Sequence, residues 1–176
     1  MNFSETIKPY KEIIIFLVKC IFLYTLWLLL RKFVFFPESS TDKFLIYQIT
    51  HSTAYFLNLL GYETYVDRTF VGIAEYPGVS IAFNCNGLSL MYLFISFILA
   101  FSGNWKHKLI FIPIGLIIIH IFNIIRTALL AIIVVYKPNW TDFNHKYTFT
   151  ATIYIVIFIL WVFWVNYFST SKKSEN

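Results

Sequence analysis

Charge is what this sequence has least of. Only 13% of its 176 residues are Asp, Glu, Lys or Arg, where an average soluble domain carries about 25%, and an ordinary water-soluble globule is thereby excluded. Cysteine is scarce as well, with Cys20 and Cys85 alone. A disulfide between them needs Cα atoms within about 7 Å, and nothing in the sequence points to that, so both read as free thiols. No internal repeat and no low-complexity segment is found. What is present is apolar: 59% of the residues are hydrophobic, 21% are aromatic, and the mean hydropathy is +0.69.

Five apolar stretches lie near residues 13 to 30, 44 to 60, 88 to 102, 109 to 135 and 149 to 168. At about 20 residues per bilayer crossing they use roughly 100 residues. The reading is an all-α polytopic membrane protein with about five transmembrane helices, one integral membrane domain over residues 1–176. The remaining residues are divided among short loops and tails. No soluble catalytic domain fits, so any chemistry belongs to the spans or the loops that cap them.

The formal net charge of +5 does not indicate nucleic acid, because the basic residues sit at span ends and form no run with stacking aromatics. They read as topology markers. Arg31, Lys32 and Lys43, then Lys106 and Lys108, then Lys172 and Lys173 are placed in the cytoplasm by the positive-inside rule. Residues 61–86 and 136–148 then face outward. The first stretch has no small-residue cleavage site before Arg31, so it is expected to be retained as a span rather than removed as a signal peptide. Lys19 lies within it and is expected to snorkel. The tail 169–176 is expected to be disordered.

The second stretch is ambiguous. Gln48, His51, Ser52, Tyr55 and Asn58 recur at spacings of three and four, which gives one polar stripe on a helix. Such a helix either spans with its stripe turned inward or lies at the interface. The N-terminus is outside in the first case and inside in the second. From Tyr62 to Phe83 the pattern changes to short runs rich in Val, Ile, Thr and Tyr, broken at Glu75-Tyr76-Pro77-Gly78. A small extracytoplasmic β-hairpin leading into Cys85 is expected there.

Polar residues inside the spans carry the functional signal. Gly103 to Lys108 is a connection short enough to force an antiparallel helical hairpin. Cys85 lies eighteen residues before Gly103 and Arg126 eighteen after Lys108; at a rise of about 1.5 Å per residue each sits about 27 Å above the inner turn. His145 comes just before the last span and hangs over the same outer mouth. An arginine within a span of Ile, Leu, Phe and Val costs about 2.5 to 3.5 kcal/mol even on lenient insertion scales. Arg126 therefore points to a role, the bland alternatives being a snorkelling side chain or a tie between helices. His120, Asn123 and Thr127 share its side of the helix. His120 and His51 read as packing residues, and Cys20 as a small hydrophobe. Cys85, in Asn84-Cys85-Asn86-Gly87, opens a helix whose dipole favours a thiolate, whereas low dielectric favours the thiol. Thiol, imidazole and guanidinium at one height make a nucleophilic site plausible. The competing reading is a non-enzymatic polytopic accessory or transport subunit in which Arg126 binds an anion or partner.

Asn84-Cys85-Asn86-Gly87 opening one span, Asn123-Ile124-Ile125-Arg126 within the next, and Asn144-His145 before the last together resemble the exosortase/archaeosortase family of membrane cysteine transpeptidases. The resemblance covers roughly residues 62 to 168 and is that of a short-form member, without several N-terminal spans of longer relatives. It implies Cys85, Arg126 and His145 as catalytic residues on the outer face of the cytoplasmic membrane. It also implies exported proteins with a C-terminal sorting signal as substrates, and a membrane lipid or surface glycan as acceptor. On that reading Cys85 attacks a peptide carbonyl, His145 exchanges protons, and Arg126 stabilises thiolate and oxyanion. Asn123 orients Arg126, and Asn84 or Asn86 donates to the oxyanion. No metal or cofactor is expected, since His51, His107, His120 and His145 are scattered in depth.

Overall fold

The computed structural model describes residues 11–33, 39–83 and 85–168; Asn84 and the tail 169–176 lie outside the described residues. Helices α1 (Lys11–Phe33) and α2 (Ser40–Leu59) precede an antiparallel sheet of β1 (Thr64–Asp67), β2 (Phe70–Ile73) and β3 (Val79–Ser80). Helices α3 (Leu88–Ala100), α4 (Trp105–Tyr136) and α5 (Phe149–Tyr167) follow.

Local chemistry sets the boundaries. Ser39 caps α2, its Oγ accepting the Asp42 N–H at 3.2 Å while its hydroxyl donates back to Asp42 Oδ2 at 3.0 Å, which satisfies one of the free N–H groups of the first turn. Asn104 caps α4 by accepting the Lys106 N–H at 2.9 Å. The α3–α4 turn is closed by Lys108, whose ammonium donates to the Leu99 and Phe101 carbonyls at 3.1 and 2.7 Å. Lys108 is buried. It satisfies the free carbonyls at the end of α3, where a cation also complements the helix dipole, and so does more than mark a cytoplasmic loop.

Helices α3, α4 and α5 share one apolar core of Phe94, Ile98, Phe111, Ile119, Ile153 and Trp164. The close approach of α3 to α4 depends on Gly115, where any Cβ would collide with the fully buried Phe94 ring. The opposite faces of these helices expose Ile110, Ile117, Ile155 and Phe158, as lipid-facing surfaces do. A second cluster joins α2 to the sheet through Ile46, Ile49, Val71 and Ile81. A third joins Leu57 of α2 and Ile73 of β2 to Ala128 and Ala131 in the second half of α4.

The expected count of about five spans is met in part. Among the described residues three helical runs are long and apolar enough to cross a membrane: Ile13–Phe33, Trp105–Tyr136 and Pro138–Tyr167. Helix α3 is apolar but has 13 residues, about 20 Å at a rise of about 1.5 Å each, short of a core about 30 Å thick. Helix α2 makes no crossing of the bundle. It starts at Asp42 beside Asn86 and ends with Leu57 against Ala131, rising along the second half of α4, away from the Gly103–Lys108 turn. It is not among the helices long and apolar enough to cross a membrane, and His51, Tyr55 and Asn58 of its polar stripe are exposed.

The expected common face for Arg31, Lys32, Lys43, Lys106 and Lys108 is also overturned. Phe16 packs edge-on to Phe97 and Phe101 with centroids 5.5 and 5.4 Å apart, Trp27 stacks on Tyr92 at 4.3 Å, and Arg31 reaches Asp42 beside Asn86. Helix α1 is thus antiparallel to α3. Arg31 lies at the Cys85 end, opposite the Lys106–Lys108 turn, because an acidic partner holds it there.

The expected hairpin is a three-stranded sheet. Its tight turn is Arg68-Thr69 between β1 and β2, with Arg68 at φ 52°. Turns of this length usually recruit Gly or Asn, so the residues gave no signal; Pro77-Gly78 instead lies in the β2–β3 connection.

Two outcomes test this architecture. In a cysteine-free background, Lys32→Cys is expected to react with a membrane-impermeant thiol reagent from the same side as Arg68→Cys, and Lys106→Cys only from the other. Gly115→Val is expected to lower stability by about 1–3 kcal/mol through overpacking, read as a fall in Tm in detergent, while Ile117→Val on the lipid face leaves Tm nearly unchanged.

Candidate active site

The segment from Ala82 to Leu88 turns the chain from sheet to helix. Helix α3 begins at Leu88, not at Cys85, so the thiol sits in the turn ahead of the helix. The Cys85 N–H donates to the Ala82 carbonyl at 2.8 Å. Gly87 takes a left-handed conformation, φ 82°, and offers no side chain as cap; Asn86 Oδ1 takes that part by accepting the Leu88 N–H at 3.0 Å. A Cβ at Gly87 would come within 3.1 Å of Asn123 Nδ2. Glycine therefore serves both the positive φ and the approach of α4.

From α4, Asn123 donates through Nδ2 to the Cys85 carbonyl at 3.4 Å and accepts Arg126 Nη1 at 3.3 Å on Oδ1. Asn123 is buried, and its own carbonyl accepts the Thr127 hydroxyl at 2.9 Å. Arg126 has no acidic partner: the ion pair found among the described residues is Arg31–Asp42. Its Nε is buried and finds no hydrogen-bond partner among the described residues. A guanidinium with an unused donor, tied to the Cys85 carbonyl through Asn123, is available to a carbonyl oxygen that gains negative charge.

His145 arrives from the helical run before α5. There the chain widens into a π turn over Asn144–Thr148, an irregularity frequent at functional sites. Its Nε2 lies 3.7 Å from Cys85 Sγ, across 60 residues of sequence. The S–H donates when the pair is thiol and imidazole, and Nε2–H donates after proton transfer. Arg126, Asp142 and Lys146 all act electrostatically on the ring. Both Cys85 and His145 are half-buried.

Cys85, Arg126, His145 and Asn123 are therefore gathered at one end of the bundle. The reckoning by helical rise treated residues 85–87 as helix, yet the structure does bring these residues to one end, because the short turn keeps Cys85 beside Asn123. Asn84 lies outside the described residues. Asn86 is 1% exposed, with its amide donating to Asp42 at 2.6 Å, so its side chain is directed at the protein interior. Asp42 and Arg31 were missed. Ser39-x-x-Asp42 is a pattern that could have marked the helix start, but nothing local links Asp42 to Arg31 or Asn86. Among the described residues no group of three His, Cys, Asp or Glu gathers to hold a metal.

A helical membrane protein with a polar site at one rim of its apolar core is thus defined. The chain belongs to the transmembrane exosortase family: the family model (Exosortase_EpsH) matches residues 17–164. The match includes α1 and α2, which precede the three motifs. No curated protein and no solved structure matches the chain.

Gly87→Ala is expected to cost about 1–2 kcal/mol from the left-handed backbone alone and to slow thiol labelling of Cys85 as Asn123 is pushed away. Ser89→Ala, at an exposed position, serves as the control that moves neither Tm nor labelling rate.

Proposed function

We propose that this protein is a multi-pass enzyme of the cytoplasmic membrane that cleaves off the C-terminal sorting signals of exported proteins on the extracytoplasmic side and transfers the cleaved proteins to a surface acceptor. The observation that carries the reading is the 3.7 Å contact of Cys85 Sγ with His145 Nε2, next to an arginine that has no acidic partner among the described residues. Family membership supports the class of reaction. A purely structural arginine of this kind is ordinarily tied to a carboxylate.

In the proposed cycle the Cys85 proton passes to His145 Nε2 and the sulfur attacks the scissile carbonyl carbon. The C–N bond then breaks as the imidazolium returns the proton to the leaving amine. Arg126 faces the oxyanion and stabilises it in a site of low dielectric. The acyl group remains on Cys85 as a thioester. An amine or hydroxyl of a membrane lipid or surface glycan attacks it in the second half, with His145 taking the nucleophile's proton and returning it to the thiolate. Water in place of that acceptor turns transfer into hydrolysis.

Cys85→Ala, Arg126→Ala and His145→Ala are each expected to leave precursors uncleaved in cells while the protein still fractionates with the membrane, read by immunoblot of precursor and product. Normal processing by a well-expressed Cys85→Ala variant sinks the nucleophile assignment. Mass spectrometry of the new C-terminus separates transfer, which adds the acceptor's mass, from hydrolysis, which adds only water.

A further inference from the structure

We infer that Asp42 is a positioning residue for Cys85, acting through Asn86; the inference rests on the proposed role of Cys85 as nucleophile. Asp42 is 0% exposed. Its carboxylate accepts Arg31 Nη1 on both oxygens, at 3.1 and 3.0 Å, the Ser39 hydroxyl at 3.0 Å and Asn86 Nδ2 at 2.6 Å. It also lies in the first turn of α2, where the helix dipole favours an anion. Placing a carboxylate out of solvent costs several kcal/mol before its partners compensate, and a tie between helices needs no ion for that purpose. What the ion adds is a fixed acceptor for Asn86.

Asn86 has two polar ends, and both are used. Its amide is held by Asp42, so its Oδ1 is aimed at the Leu88 N–H. The residue before it is Cys85, whose N–H bonds Ala82 and whose carbonyl receives Asn123. The backbone on both sides of the thiol is therefore pinned, from α1 and α2 through Arg31–Asp42–Asn86 and from α4 through Asn123. Sγ is left facing His145. Loss of the Asp42 carboxylate frees the Asn86 amide, loosens the turn and separates Sγ from Nε2. Support of this kind, one step behind the reacting group, holds active-site geometry to within about 0.5 Å.

The charged groups facing the thiol are His145, with Asp142 and Lys146 beside it, Arg126 from α4, and the Arg31–Asp42 pair behind Asn86. Helix α3 contributes no charged side chain. The test uses the full chain in lipid nanodiscs with Cys20→Ser, and measures iodoacetamide alkylation of Cys85 by mass spectrometry from about pH 5 to about pH 9. The parent is expected to react about tenfold faster near neutrality than His145→Ala, which lacks the imidazole that takes the thiol proton. Asp42→Ala is expected to take on the profile of His145→Ala. Asp42→Asn, which keeps an acceptor for Asn86 but not the ion pair, is expected to fall between. An Asp42→Ala protein with a lowered Tm and the parent's pH profile overturns the inference and makes Asp42 a fold residue only. If the parent and His145→Ala share one profile, the Cys85–His145 reading itself fails and takes this inference with it. Should Asp42→Ala not purify folded, Asn86→Ala cuts the same chain without disturbing the ion pair, and the same two outcomes decide.

Discussion

In a molecule this poor in charge a buried ion is costly unless the protein itself supplies its partners, because lipid offers none. The Asp42 carboxylate is where that constraint is met most completely. Arg31 brings the end of α1, Ser39 the start of α2, and Asn86 the turn that carries Cys85. Three segments distant in sequence are thereby joined at one point. Asn123 does the matching work from α4, with one side-chain end on the Cys85 carbonyl and the other on Arg126. Around these two knots most of the remainder is apolar packing, with Lys108 closing the α3–α4 turn at the other end.

The length of α4 divides the molecule. Its 32 residues span about 48 Å, well beyond a hydrocarbon core of about 30 Å. The first half packs with α3 and α5 through Phe111 and Ile119; the second half carries α2 and the sheet on Ala128 and Ala131. Asn123 and Arg126 stand where the two parts meet. The site thus lies at a boundary between an apolar bundle and a mixed α/β cap.

Much of this was legible in the residues, for reasons that differ from element to element. Helices α1, α4 and α5 were marked by long apolar runs, and the α3–α4 hairpin by a connection too short for anything else. Arg126 stood out because it is so costly within a span, and Cys85 and His145 because they fall at the same height. Helix α2 was ambiguous since a polar stripe suits an inward face or an exposed one equally well. The β1–β2 turn was invisible because Arg68 adopts a positive φ that side chains rarely take. Arg31 was misread because a basic residue at a span end looks the same whether it marks the cytoplasmic side or answers a buried carboxylate.

The sequence by itself determined that the protein is a helical membrane protein, where its long helices run, and which family it belongs to, because hydropathy, loop length and a three-part motif are local properties of the chain. Only the tertiary structure decided that α2 stays out of the bundle, that α1 runs antiparallel to α3, and that Asp42 stands behind Cys85. Those outcomes depend on pairings across many residues, such as Arg31 with Asp42 and Asp42 with Asn86. A charge announces through the sequence that it needs a partner; which partner answers is settled by packing.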